Sequence, residues 1–399
     1  MKRPALQHLL TPTSVESFIT EFWEKEFLHI RRNDQQYYNE ILNLSGLDEY
    51  LSRNDIRYPS LRMMRSGKAI PTAEFTKRLA FGSYVTNGLI DVDEVYKHYQ
   101  QGASVVLQMM RSGIPSITSF MNRLQKDCLF NVEANVYVTP GGEQGFTTHY
   151  DTHSVMVLQI AGCKRWRLYD FPRRFPLLNE TFDTIQYRPS SPTQDIVLQP
   201  GDMLYVPRGM AHDATSTNEG KSVHITIGLF PPMWRDLIQS HLGTLKNDIR
   251  LRRCPVSYLL PERRCEFVKE AKEIGETIFQ GADANNMLKL TLREHLDRQS
   301  RVTGGFFGRL DRENSLNNST LLRARNDVIF SVAKEGAIIA LYFYGKRLTL
   351  PAATEPVIND MLSGIEFKVS EIKCNLDEPS KLLLARKLRV CGLIEEVEI

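Results

Sequence analysis

Cysteine is scarce and unpatterned in this chain. The six thiols, at positions 128, 163, 254, 265, 374 and 391, form no CxxC pair and no regular framework. A cysteine-rich zinc module and a disulfide scaffold are therefore excluded, and a reducing, cytoplasmic compartment is expected. Long apolar runs are missing too: none approaches the roughly 20 residues that span a bilayer. The opening MKRPALQHLL lacks the apolar stretch of a secretory signal, so no membrane association is expected. A strong charge of one sign is also absent. The net +3 says little about partners. What is present is ample apolar content, 42% over 399 residues, enough for two or three packed domains.

The most informative feature is His149-Tyr150-Asp151, followed 61 residues after Asp151 by His212. Side chains two apart on a strand point to one side, so His149 and Asp151 can grip one metal ion. A second strand returning across a barrel can add the His212 imidazole. Two histidines and one carboxylate on one face leave the opposite coordination positions open, which is the facial arrangement of non-haem Fe(II) oxygenases. An HxD string alone is as often an ordinary surface pair. His153 completes a same-face series in HYDTH, but same-face strand neighbours lie about 7 Å apart, too far for a third ligand at normal bond lengths. We read His153 as a residue of the surrounding pocket. His224 is read as an interior structural residue, and His8, His29, His98, His241 and His295 as scattered packing or surface residues.

The flanks support a barrel. Asn131 to Pro140 (NVEANVYVTP) is β-rich, Gly141, Gly142 and Gly145 supply a turn, and Thr147 to Ile160 is expected to resume as strand. Gly162 marks another turn before Lys164 to Tyr169 alternates again. Downstream, IVLQPGDMLYVPRGMAH places a strand, a Pro-Gly-Asp turn, a short strand at 203 to 206 and a Pro207/Gly209 corner before His212. Barrels of the cupin type are built from such pieces.

At these residues the chain resembles the JmjC-type cupin oxygenases, and within them the ribosomal oxygenases, which hydroxylate ribosomal proteins with Fe(II), O₂ and 2-oxoglutarate. Phe22 to Ile30 (FWEKEFLHI) looks like the family's entry segment, and Gly102 to Leu124 looks like the stretch leading into its barrel; the resemblance covers most of residues 15 to 232. It implies that His149, Asp151 and His212 hold iron. It also implies that Lys164, 15 residues after His149, pairs with the far carboxylate of 2-oxoglutarate, that Asn135 contacts the cosubstrate and that Tyr137 lines the substrate pocket. The physical requirement behind the Lys164 assignment is a cation for a carboxylate. Arg165 is its rival, but alternation sends the two to opposite faces, and the family register selects Lys164.

Beyond Gly228-Leu229-Phe230-Pro231-Pro232 the pattern changes. Residues 233–245, 262–279 and 284–298 carry apolar positions at helical spacing. In the resembling oxygenases this region is a helical dimerisation module; the plain alternative is a helical cap on its own barrel. Residues 304–320 are turn-rich and polar, a linker by composition. A hairpin around Gly345, helices at 354–362 and 379–390 and a strand at 393–399 follow. The resemblance makes this end a winged helix. Residues 341–399 hold eight Lys and Arg against nine Asp and Glu, whereas a nucleic-acid module should be basic. Direct nucleic-acid binding is therefore not expected, and a protein-contact or structural role is.

The expected architecture is α+β and multidomain: a double-stranded β-helix (cupin/JmjC) catalytic domain over 1–234, a helical dimerisation region over 235–305 and a winged-helix-like domain over 325–399. The expected activity is that of a cytoplasmic, homodimeric Fe(II)/2-oxoglutarate protein hydroxylase acting on a histidine or arginine of a ribosomal protein. Three alternatives stand beside it. A peptide-tailoring hydroxylase would differ in its groove. A JmjC demethylase would need an aromatic cage for methylammonium, which the sequence does not locate. A non-catalytic winged-helix adaptor with a relic barrel is opposed by the intact triad and Lys164.

Overall fold

The computed structural model describes residues 4–53, 55–183, 191–218, 220–245, 247–255, 261–280, 282–297, 306–311, 315–326 and 328–397. They form two compact units, Met1–Phe230 and Pro231–Ile399. No helix among the described residues is long and apolar enough to cross a membrane.

The first unit contains thirteen strands: β1 (Leu28–Ile30), β2 (Leu61–Arg65), β3 (Lys68–Ala69), β4 (Thr76–Phe81), β5 (Tyr84–Ile90), β6 (Ser104–Leu107), β7 (Asn131–Thr139), β8 (Ser154–Ala161), β9 (Lys164–Leu168), β10 (Gln194–Leu198), β11 (Met203–Val206), β12 (His212–Ser216) and β13 (Ser222–Phe230). Eight of them make the main sheet, in the order β1-β11-β8-β13-β7-β6-β2-β3. A smaller sheet, β10-β9-β12, supplies the other wall of the barrel, and β4 and β5 form a separate hairpin. Short turns carry the chain between the two sheets, from β8 to β9, β10 to β11, β11 to β12 and β12 to β13.

β7 shows how sequence becomes wall. Its residues alternate strictly. Val132, Ala134, Val136 and Val138 are buried on the outer face, where they join the core formed with Phe120, Met121 and Leu124 of the helix Pro115–Cys128. Glu133, Asn135, Tyr137 and Thr139 therefore face the barrel interior. A second, smaller core forms where Val155 and Val157 of β8 meet Trp166, Leu168, Ile196 and Leu198 from the small sheet.

One expectation needs correcting. The strand foreseen from Thr147 begins only at Ser154, and His149 touches the sheet through a single isolated bridge to His212. Residues 140–153 form a loop because their glycines and polar side chains are tied locally and to other strands: Ser216 N donates to Glu143 O at 3.0 Å and Gly209 N to Asp151 O at 2.9 Å. The corner before His212 is as foreseen. Gly209 adopts φ +83°, and a Cβ there would lie 1.9 Å from the Arg173 carbonyl oxygen, so only glycine fits.

The second unit holds helices Trp234–Thr244, Arg264–Gln280 and Ala284–Asp297, close to the three foreseen. The residues foreseen as a linker include a short helix, Phe306–Asp311; 304–305 and 312–314 lie outside the described residues. The hairpin Ile338–Phe343/Lys346–Pro351 and the helices Glu355–Met361 and Glu378–Val390 fall where the pattern placed them, and the closing strand is shorter, Ile394–Glu396. Helix Ala284–Asp297 packs on that hairpin: the Arg293 guanidinium lies 3.9 Å from the Tyr342 ring centre, and Gly345 N donates to Leu296 O at 2.8 Å. The helical stretch and the terminal strands are thus parts of one unit.

Candidate metal centre and its cavity

The barrel encloses a cavity of about 390 Å³. His149, Asp151 and His212 meet on its wall, each offering one ligand atom, all within 4.8 Å of one another. His212 Nε2 lies 3.7 Å from Asp151 Oδ2. The antiparallel bridge, with His149 N donating to His212 O at 3.0 Å and His212 N to His149 O at 2.7 Å, brings the two imidazoles together at a ring-centre distance of 4.7 Å.

Both rings are set in the same way. His149 Nδ1 lies 2.8 Å from Thr147 O and His212 Nδ1 lies 3.0 Å from Met210 O, each a carbonyl two residues earlier. A carbonyl can only accept, so Nδ1 carries the proton and the Nε2 lone pair is left for a ligand bond. Burial, then the neighbouring His149, pushes the His212 pKa well below its ordinary value, which keeps the ring neutral as a ligand must be. Two neutral imidazoles and a carboxylate form a donor set suited to Fe(II).

Behind the triad lie Asp213 and Thr148. The buried Asp213 carboxylate accepts from Thr148 Oγ1 at 2.8 Å, Tyr169 Oη at 2.7 Å and Arg167 Nε at 2.7 Å. It clamps the loop bearing His149 to the strand bearing His212 and to β9.

Lys164 opens β9 and is buried, 4% exposed, whereas Arg165 is directed outward and pairs with Asp195 at 3.2 Å. The alternation expected from sequence is therefore met. Lys164 Nζ donates to Thr139 Oγ1 at 3.1 Å; burial lowers its pKa to about 7. Lys164 and His212 stand at opposite ends of the β9/β12 ladder, where Lys164 faces Ser216 and Leu168 faces His212. Trp166 Nε1 and His224 Nδ1, both lining the same space, are buried with no hydrogen-bond partner among the described residues. The Lys164 Nζ and the unpartnered Trp166 N–H are donors suited to a ligand made of carboxylate oxygens, and 2-oxoglutarate fits that chemistry.

Asn135 and Tyr137 both line the cavity. Asn135 Oδ1 accepts from Met109 N at 3.2 Å, which turns the amide nitrogen toward the interior. Tyr137 stacks on His224, 4.8 Å between ring centres and 2° between planes; burial pushes its pKa up to about 12, so it stays a neutral phenol. His224 is fully interior, as read from sequence, but it is a cavity wall rather than filler. His153 stands aside from the triad and stacks on Phe230 at 4.6 Å. Sequence reasoning missed Arg62, Glu133, Thr139, Phe146 and Asp213. Period-two extension from Asn135 and Tyr137 would have found Glu133 and Thr139; Arg62 reaches the cavity from a distant strand and carries no local signal.

Residues 112–237 match the JmjC domain family. The barrel contains a JmjC domain. Among curated proteins it is similar to the bifunctional lysine-specific demethylase and histidyl-hydroxylase NO66 of Aedes aegypti, 30% identical over 239 residues, which cover 58% of this chain and 35% of that protein. NO66 of Dictyostelium discoideum is 31% identical over 239 residues, covering 58% and 44%. The chain thus spans about a third to under half the length of these relatives. Among solved structures, the ribosomal oxygenase YcfD of Escherichia coli, in complex with cobalt and 2-oxoglutarate, superposes with TM-score 0.57 at 16% identity, covering 97% of this chain and 99% of that one. At that identity the likeness establishes a shared fold, and it extends beyond the JmjC domain to both units.

Proposed function

We infer that this chain is an Fe(II)- and 2-oxoglutarate-dependent protein hydroxylase acting on a histidine or arginine side chain of a ribosomal protein. The observation that carries the reading is a single cavity holding the His149-Asp151-His212 donor set and, at the other end of the β9/β12 ladder, the buried ammonium of Lys164. The relatives' names, histidyl-hydroxylase and ribosomal oxygenase, support the same class.

When bound, the metal and 2-oxoglutarate supply the oxidation, in which O₂ and the keto acid yield succinate, CO₂ and one oxygen atom for a substrate carbon. The chain's part is positioning and exclusion of water. Carbonyls of Thr147 and Met210 hold the two imidazoles in ligating tautomers. Lys164, backed by the Thr139 hydroxyl, takes the far carboxylate and gains a partner for a charge that is otherwise costly to bury. Asn135 offers its amide nitrogen to the cosubstrate, and Tyr137 presents a neutral hydroxyl to the substrate.

The wider assignments belong to the same reading. The helical stretch 235–305 is proposed to mediate homodimerisation, consistent with exposed apolar side chains such as Ile249, 71% exposed. Residues 325–399 are proposed to be a winged-helix-like domain making protein contacts, and the enzyme is proposed to be cytoplasmic. The test is incubation with Fe(II), 2-oxoglutarate, O₂ and a ribosomal-protein peptide library. Succinate formation together with a peptide heavier by one oxygen atom is expected. Release of formaldehyde from a methylated peptide would favour the demethylase alternative, and no succinate with any peptide would overturn the reading.

A further inference from the structure

The cavity is electrically polarised along β7. At one end Thr139 receives the Lys164 ammonium. Six residues away, roughly 20 Å along the strand, Glu133 faces the same interior. Its carboxylate accepts one hydrogen bond, at 3.0 Å from the backbone N–H of its own neighbour Ala134, and no cation pairs with it among the described residues. Burial raises its pKa, the mark of a carboxylate short of counter-charge.

Glu133 also lines the cavity that holds the donor set. It lies directly across the β7/β13 ladder from Gly228. A Cβ on Gly228 would stand 2.9 Å from His153 Cδ2, so the absent side chain is what admits the His153 ring, itself stacked on Phe230. His153 in turn follows Asp151 by two residues. A side chain reaching toward the donor set at this end meets a flat wall of His153 and Phe230 and an unpaired carboxylate.

We propose that Glu133 is a specificity-determining residue that selects a cationic side chain, arginine or lysine, as the group presented for reaction, with the His153/Phe230 stack as the surface against which its methylene stem lies. This inference rests on the hydroxylase reading above and narrows it, because a neutral histidine gains little from Glu133. A guanidinium satisfies the carboxylate through paired N–H donors and an ammonium through one, so the two sources differ in detail but share the charge.

The test uses one peptide sequence carrying arginine, lysine, histidine or citrulline at the target position; citrulline keeps the shape of arginine without its charge. With the full-length protein, Fe(II) and 2-oxoglutarate, kcat/KM for the arginine or lysine peptide is expected to exceed that for citrulline by roughly tenfold or more. In Glu133→Gln this ratio is expected to fall toward one, and in Glu133→Asp to recover in part. Equal turnover of the arginine and citrulline peptides by the unaltered protein, preference for histidine, or an unchanged ratio in Glu133→Gln overturns the proposal. If no peptide yields succinate, the hydroxylase reading fails instead. Anisotropy of labelled arginine and citrulline peptides on cobalt-loaded protein then still decides the subsite.

Discussion

Thr148 donates its hydroxyl hydrogen to Asp213 at 2.8 Å, so the residue before one metal-ligand candidate is tied to the residue after another. Because Tyr169 and Arg167 also donate to that carboxylate, the triad's spacing depends on a group that touches no metal. Asp213→Ala leaves three donors without their acceptor and, with the Arg167 charge partly exposed, is expected to cost about 1–3 kcal/mol of stability, measured by urea unfolding. Metal affinity should fall by about 10- to 100-fold. Thr148→Val removes one bond and should cost about 1 kcal/mol.

Replacing His149, Asp151 or His212 by alanine should abolish iron retention and 2-oxoglutarate turnover, read by elemental analysis and succinate assay. His153→Ala should keep its iron, since its ring packs on Phe230 rather than beside the triad. Loss of iron from His153→Ala with retention in His212→Ala would show the wrong third ligand.

Lys164→Ala should weaken 2-oxoglutarate binding at least tenfold, about 1.4 kcal/mol or more, while Arg165→Ala, whose side chain lies outside and pairs with Asp195, should change it little. The pH dependence has a definite sign. A lysine held down to about 7 by burial loses its proton as pH rises through that value, and the neutral amine no longer attracts a carboxylate. Titration of cobalt-loaded protein without O₂ should therefore show the 2-oxoglutarate Kd rising above pH 7 and levelling off below it. The same shift acts on folding in the opposite sense. Between the folded value near 7 and the ordinary lysine value, the unfolded chain binds more protons, so this group's contribution to stability of the ligand-free protein rises with pH across that window.

Gly209→Ala would drive a methyl into the Arg173 carbonyl at a positive φ. A cost of about 1–3 kcal/mol from the backbone alone is expected, with the clash adding to it, and the shifted corner should displace His212. A lowered Tm together with reduced metal affinity checks this.

The triad, Lys164, Asn135 and Tyr137 were legible because each rests on a local rule: a spaced ligand pair, period-two alternation, a proline-glycine corner. Lys164 and Arg165 diverge as alternation requires. What was not legible needed distant chain segments. The loop 140–153 reads as strand by composition, yet its backbone is paired with Gly209, Ser216 and Thr217 instead of a continuous neighbour. Arg62 enters from a strand more than seventy residues before Asn135, and Asp213 was overshadowed by the adjacent ligand. In the second unit the helices were foreseen from their periodicity. The packing of helix Ala284–Asp297 on the hairpin, through Arg293 to Tyr342 and Leu296 to Gly345, could not be read from either segment alone.

β7 reverses the usual polarity of a small barrel, with its apolar side chains on the outside and its polar ones within. The strand's contribution to stability thus comes from the helices laid against it, and its contribution to chemistry from the face they leave alone. A trimmed protein beginning near residue 130 would keep every candidate ligand yet expose Val132, Val136 and Val138 to water. Such a fragment should aggregate, and miniaturising this catalyst would require redesigning the outer face of β7 before touching its interior.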